Sequence, residues 1–158
     1  MPTFITENDV VTALSMETVD ADTYLLYGEK IAKTAVQSHV NYANDYVSVY
    51  TGDIDSTSSK WIPARLAALC LAMKRTVVVA LGWTVYDNVN YQVGEIEVNV
   101  GPQLEQVIRS NLAAWEADFN TAMNTLISGM VVAAQPFGQL LNQYLKQGYT
   151  LYESGAEP

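Results

Sequence analysis

The sequence predicts a mainly α protein: a bundle of three long helices with shorter ones, and a β-hairpin-like or extended insert near residues 83–101. Three observations carry that prediction. Apolar residues recur at spacings of three, four and seven over most of the chain, as amphipathic helices require. Between residues 62 and 82 the chain is apolar on nearly every side, as in a helix buried within a bundle. The period then changes, and Glu95-Ile96-Glu97-Val98-Asn99-Val100 alternates polar with apolar.

In order along the chain, Thr6-Glu7-Asn8-Asp9 sets a capping hydroxyl before acidic residues that favour a helix N-terminus. Val10, Val11 and Leu14 form its small apolar face, with Phe4 or Ile5 placed to pack back on it. Residues 15–19 read as a loop. A long helix is expected over about residues 21–50, starting at Asp20 or Asp22. Its stripe is Leu25, Ala32, Val36, His39, Ala43, Tyr46 and Tyr50. Gly28 falls inside that stripe and weakens it by about 1 kcal/mol relative to Ala, a cost that a close helix crossing would explain. Gly52 is placed to end the helix.

The polar run from Asp53 to Ser59 reads as an exposed loop. Asp53 and Asp55 begin like a calcium loop, but the glycine and terminal Glu of an EF-hand are missing. Pro63 suits the first turn of the apolar helix, and Gly82 should stop it. After the insert, Gly101-Pro102 opens a helix to about residue 127, with Leu104, Ile108, Leu112, Trp115, Phe119, Ala122 and Leu126 on one face. Residues 137–146 read as one more short helix. Residues 1–147 are expected to form a single helical domain, and 148–158 a flexible C-terminal tail.

A net charge of −9 excludes nucleic-acid readout, which needs clustered Lys and Arg; only eight basic residues exist. DNA proximity stays open, because an acidic wall does not hold phosphate. The longest apolar stretch, Val77 to Leu81, is far short of a bilayer span, and no basic and apolar leader opens the chain. The lone Cys70 lies in an apolar run without a base near by, so it reads as a small buried hydrophobe. His39, the one histidine, lies on an apolar stripe with no partner at helical spacing, which favours a core or interface role over catalysis. No cofactor or metal is expected, since zinc and di-metal ligand sets are missing. Glu95 and Glu97 share one strand face, where they aim at solvent, a lumen or a metal.

Aromatic residues are more informative. The chain holds ten tyrosines and three tryptophans, residue types that favour interface cores because they bury large areas with few rotors. Trp83, Tyr86 and Tyr91 in the insert, and Tyr149, Leu151 and Tyr152 in the tail, are the candidate interface residues. The alternation of Tyr149, Thr150 and Leu151 suits strand addition to an exposed edge.

The layout resembles the head–tail adaptor (connector, or head-completion) proteins of tailed viruses. The residues that carry the resemblance are a short N-terminal helix, Phe4-Ile5-Thr6-Glu7-Asn8-Asp9-Val10-Val11-Thr12-Ala13-Leu14, and a long helix ending in a polar loop. The apolar Ala64-Arg65-Leu66-Ala67-Ala68-Leu69, an insert with Val93-Gly94-Glu95-Ile96 and a further helix follow. The similarity spans roughly residues 4–127 and is one of layout, without an invariant motif. It implies a non-enzymatic virion protein at the head–tail interface, present in the host cytoplasm during assembly. It implies a ring, usually of twelve subunits, under the portal protein, joined to a downstream neck or tail protein and extending the DNA channel without specific DNA binding. The residues alone leave two alternatives: a monomeric helical protein that grips a regulatory partner, and a carboxylate-dependent helical hydrolase.

Overall fold

The computed structural model describes residues 2–81, 83–85, 91–93, 102–128 and 144–145, with backbone only for 83–85, 91–93 and 102–105. It is mainly helical, with a small antiparallel sheet before the first long helix and a strand pair in the insert.

Helix α1 (Glu7–Ala13) begins where the capping residues place it. The Asp9 carboxylate accepts the Thr6 backbone N–H at 2.7 Å and the Thr6 hydroxyl at 3.1 Å. Val10, Ala13 and Leu14 are buried in the same core cluster as Phe4 and Ile5.

Residues 15–32 differ from the helix and loop expected there. They form a three-stranded antiparallel meander, β1 (Glu17–Thr18), β2 (Thr23–Leu26) and β3 (Glu29–Ala32). Leu25 therefore pairs across strands with Glu17 and Lys30. The cause lies at Tyr27 and Gly28, whose φ values are +54° and +84°. Two successive positive φ angles make the tight turn whose twist matches paired strands, and a helix cannot pass through them. Gly28 relieves no helix crossing, since open space surrounds it. Burial alternates along β2, with Tyr24 and Leu26 inward.

Helix α2 (Lys33–Thr51) follows β3 without a linker. Ala32 at its N-cap offers no side-chain cap, and the Asp22 carbonyl accepts the Lys33 N–H at 2.9 Å instead. Gly52, at φ +66°, ends the helix and donates its N–H to the Ser48 carbonyl. Helix α3 (Trp61–Ala80) is central, with Ala64, Leu66, Ala67, Ala68, Leu69, Ala72, Met73 and Val77 fully buried. Helix α4 (Pro102–Ser128) packs on it through Ile108, Leu112 and Trp115.

Two contacts fix how α3 lies against α2: His39 meets Thr76 and Tyr42 meets Arg75, so the helices run antiparallel. On its other side, Lys74 of α3 pairs with Glu116 of α4. Between α3 and α4, β4 (Trp83–Val85) and β5 (Tyr91–Val93) pair antiparallel, with Trp83 opposite Val93 and Val85 opposite Tyr91. The insert thus contains the expected hairpin pairing, earlier in the chain than the alternating Glu95–Val100 run, which lies outside the described residues.

Candidate functional site

Helix α2 carries two different surfaces on its opposite sides, and both originate in residue spacing. At about 100° per residue, Gln37, Asn41 and Asn44 fall on one side and Tyr42, Tyr46 and Tyr50 on the other. The core-facing residues Val36, Val40, Ala43 and Val47 lie between them.

On the first side, the extended N-terminal segment is pinned to the helix by Asn44. Its Oδ1 accepts the N–H groups of Phe4 and Ile5 at 3.0 and 3.1 Å, and its Nδ2 donates to the Ile5 carbonyl at 3.0 Å. The Phe4 ring packs on Trp61 with centroids 5.3 Å apart. An open groove of about 410 Å³ runs beside this segment, walled by Thr3, Thr6 and Glu7 and by Gln37, Asn41 and Asp45. Glu7 is its anchor: its carboxylate accepts the Tyr24 hydroxyl and, at 2.7 Å, the Gln37 amide. The hydrogen bond to Glu7, reinforced by burial, pushes the Tyr24 phenol up to about 12. On the other side of α1, Asp9 pairs with Arg65 at 3.3 Å. The groove therefore offers fixed carboxylate and amide groups on a braced frame.

On the second side, Tyr42, Tyr46 and Tyr50 form a ladder, with ring centroids 6.1 and 5.5 Å apart. Tyr46 also touches Phe119 of α4 at 6.2 Å. The Tyr50 hydroxyl and burial together push the Tyr46 phenol upward. The Arg75 guanidinium lies over the Tyr42 ring, 4.0 Å from its centre. Beside this stripe Val49 is 79% exposed, and Tyr42 and Tyr50 are also exposed.

His39 lies where the ladder meets the core, buried, with Nδ1 3.2 Å from the Thr76 hydroxyl. Burial, and secondarily the Arg75 charge, lower its pKa and hold the imidazole neutral. Cys70 is fully buried, and burial pushes its thiol well up, with Asp118 and Glu116 adding to the shift. A thiol in that state is a packing group. Asp55 of the polar loop turns its carboxylate onto the Thr57 N–H at 2.8 Å and the Thr57 hydroxyl. Among the described residues no group of three or more His, Cys, Asp or Glu side chains is placed to hold a metal. Among the same residues no helix is long and apolar enough to cross a membrane.

Of the candidate interface residues, Trp83 and Tyr91 lie in the paired strands β4 and β5, two positions out of direct register. Tyr86, Tyr149, Leu151 and Tyr152, and the acidic pair Glu95 and Glu97, lie outside the described residues. Tyr144, within the short helix expected at 137–146, is buried and donates its hydroxyl to Asp118 at 2.7 Å. Of the two tyrosines that the sequence placed on the core stripe, Tyr46 packs against the core and Tyr50 is exposed, and the ladder they form with Tyr42 was not read from the spacing. Adding Tyr42, at i, i+4 and i+8 with the other two, is the signal that separates the ladder from the core.

No protein-family model, curated protein or solved structure matches this chain.

Proposed function

We propose that this protein is a structural assembly component: a head–tail adaptor that forms a ring under the portal of a tailed virus and joins it to the neck or tail. The observation that carries this reading is the second, outward face of α2. Three tyrosines in contact along a helix and an arginine lying on one ring are side-chain types that dominate protein–protein contacts, and an exposed valine lies beside them. A helix that merely closed a monomeric core would carry one apolar stripe, and α2 carries two. The element order from α1 to α4 supports the adaptor reading, although its first long helix is 19 residues and is preceded by a sheet. The net charge of −9 suits a wall past which DNA slides without sticking.

Disruption of the gene in the genome that carries it tests the proposal. DNA-filled heads and separate tails that fail to join are expected, and purified protein added back should restore joined particles. Normal particles from the disrupted genome overturn the reading.

The groove beside the N-terminal segment favours a second reading, a monomeric partner-binding protein. Light scattering in the presence of isolated portal rings separates the two, because an adaptor gains the mass of a ring there and a monomeric binder does not.

A further inference from the structure

We propose that successive copies of this chain join head to tail, with the turn around Val19 of one copy seated on the tyrosine ladder of the next. The contact deepens the assembly reading above and rests on it for its biological setting.

The receiving surface is Tyr42, Tyr46, Val49 and Tyr50 with Arg75. Arg75 is half-buried, its Nε is buried without an acceptor, and it makes no ion pair among the described residues. Its guanidinium carbon lies 4.0 Å from the centre of the Tyr42 ring. In a chain of net charge −9, a cation lying on the Tyr42 ring with no carboxylate partner among the described residues is an address for a carboxylate from outside.

The β1–β2 turn has the complementary character. Val19 is 46% exposed, and Glu17, Asp20 and Asp22 around it are exposed. The turn is closed by its own hydrogen bonds: Val19 and Asp20 both donate their N–H to the Thr23 carbonyl, at 3.0 and 3.4 Å. The Asp22 N–H donates to Asp20 Oδ1 at 2.8 Å. A preformed knob with one apolar tip and three carboxylates loses little entropy on docking. Val19 meets the Val49 and Tyr42 surface, and the carboxylates meet Arg75.

The two patches lie on different parts of the subunit. The sheet is tied to the α1 side of α2 through Tyr24 and Glu7, whereas the tyrosines occupy the opposite side of that helix. Unlike patches on opposite sides of a subunit cannot both be engaged within one pair of copies, so the contact is heterologous and propagates into a ring when its rotation closes. A two-fold contact is disfavoured at either patch, because it sets Arg75 against Arg75 or three carboxylates against three.

Single reporter cysteines test this, since Cys70 is buried and does not compete. Full-length Val19→Cys and Val49→Cys proteins are mixed at high concentration under mild oxidation, each also being treated alone. A disulfide-linked pair from the mixture only, and a ladder of dimer, trimer and higher species from the double variant, are expected. No mixed product, or equal dimer from either variant alone, overturns the proposal. Arg75→Glu should cut the mixed product about tenfold or more with an unchanged circular dichroism spectrum. Asp20→Lys with Asp22→Lys on the partner chain should then restore it, and failure to restore it removes the charge pairing. Cross-linking reads copy-to-copy contact, whereas gene disruption reads the place of the assembly, so either result can fail without the other.

Discussion

Asn44 and Ile5, 39 residues apart, exchange two hydrogen bonds: Ile5 N–H to Asn44 Oδ1 at 3.1 Å, and Asn44 Nδ2 to the Ile5 carbonyl at 3.0 Å. One side chain thus does for the N-terminal segment what a neighbouring strand would do. It satisfies backbone groups that the burial of Phe4 and Ile5 takes from water.

Asn44→Ala leaves three buried backbone groups without partners, including the Phe4 N–H. The expected loss is about 2–4 kcal/mol of unfolding free energy, read as a lower urea midpoint. Asn44→Asp should fall between, because it keeps the acceptor for both N–H groups but turns an oxygen toward the Ile5 carbonyl. An unchanged midpoint in Asn44→Ala would show that the segment is not docked.

Gly28→Ala separates the hairpin from a helix by the sign of its effect. In a helix interior, Ala stabilises by about 1 kcal/mol over Gly. At φ +84° in open space the added Cβ meets no neighbour, yet the backbone strain costs about 1 kcal/mol. A lower melting temperature is expected, and a higher one would restore the continuous helix.

His39 makes stability depend on pH near neutrality. Its pKa is lowered in the folded state, so between that value and about 6.5 the unfolded chain binds more protons. Stability is therefore full above about pH 6.5 and falls as pH drops through the folded value, below which this group adds no further loss. Asp20 and Asp55, whose pKa values are lowered by hydrogen bonds from their turns, act only below about pH 4. Urea midpoints measured between roughly pH 5 and 7 should slope upward in the native chain and flatten in His39→Gln. An equal slope in both would move the effect to another group.

The parts legible in the sequence were those with one strong signal each. Thr6 and Asp9 marked the start of α1, the unbroken apolar run marked α3, and the period of Ile108, Leu112 and Trp115 marked α4. The meander before α2 was not legible because its strands are four residues or fewer, too short for alternation to outweigh a helical period. Leu25 and Ala32 happen to continue the spacing of Val36 and Ala43, so the stripe ran smoothly through two strands. The local evidence against it was Tyr27-Gly28 between Thr23-Tyr24-Leu25-Leu26 and Glu29-Lys30-Ile31-Ala32, a two-residue turn between short apolar runs. The groove was hidden for another reason. Asn44 and Glu7 acquire their roles only when distant segments meet, and spacing along the chain carries no trace of that meeting.

The alanines of α3 have a consequence for how such a chain can drift. Ala64, Ala67, Ala68 and Ala72 have no exposed surface, on a helix that packs against both α2 and α4. A larger side chain at any of them must push a neighbouring helix away, at about 1–3 kcal/mol each. The outward face of α2 carries less restriction, because Val49 is 79% exposed and Tyr42 and Tyr50 each keep more than a third of their surface in solvent within one subunit. Substitutions that leave the subunit folded will therefore accumulate on that outward face, and docking preference can diverge in lineages whose inner helix scarcely changes.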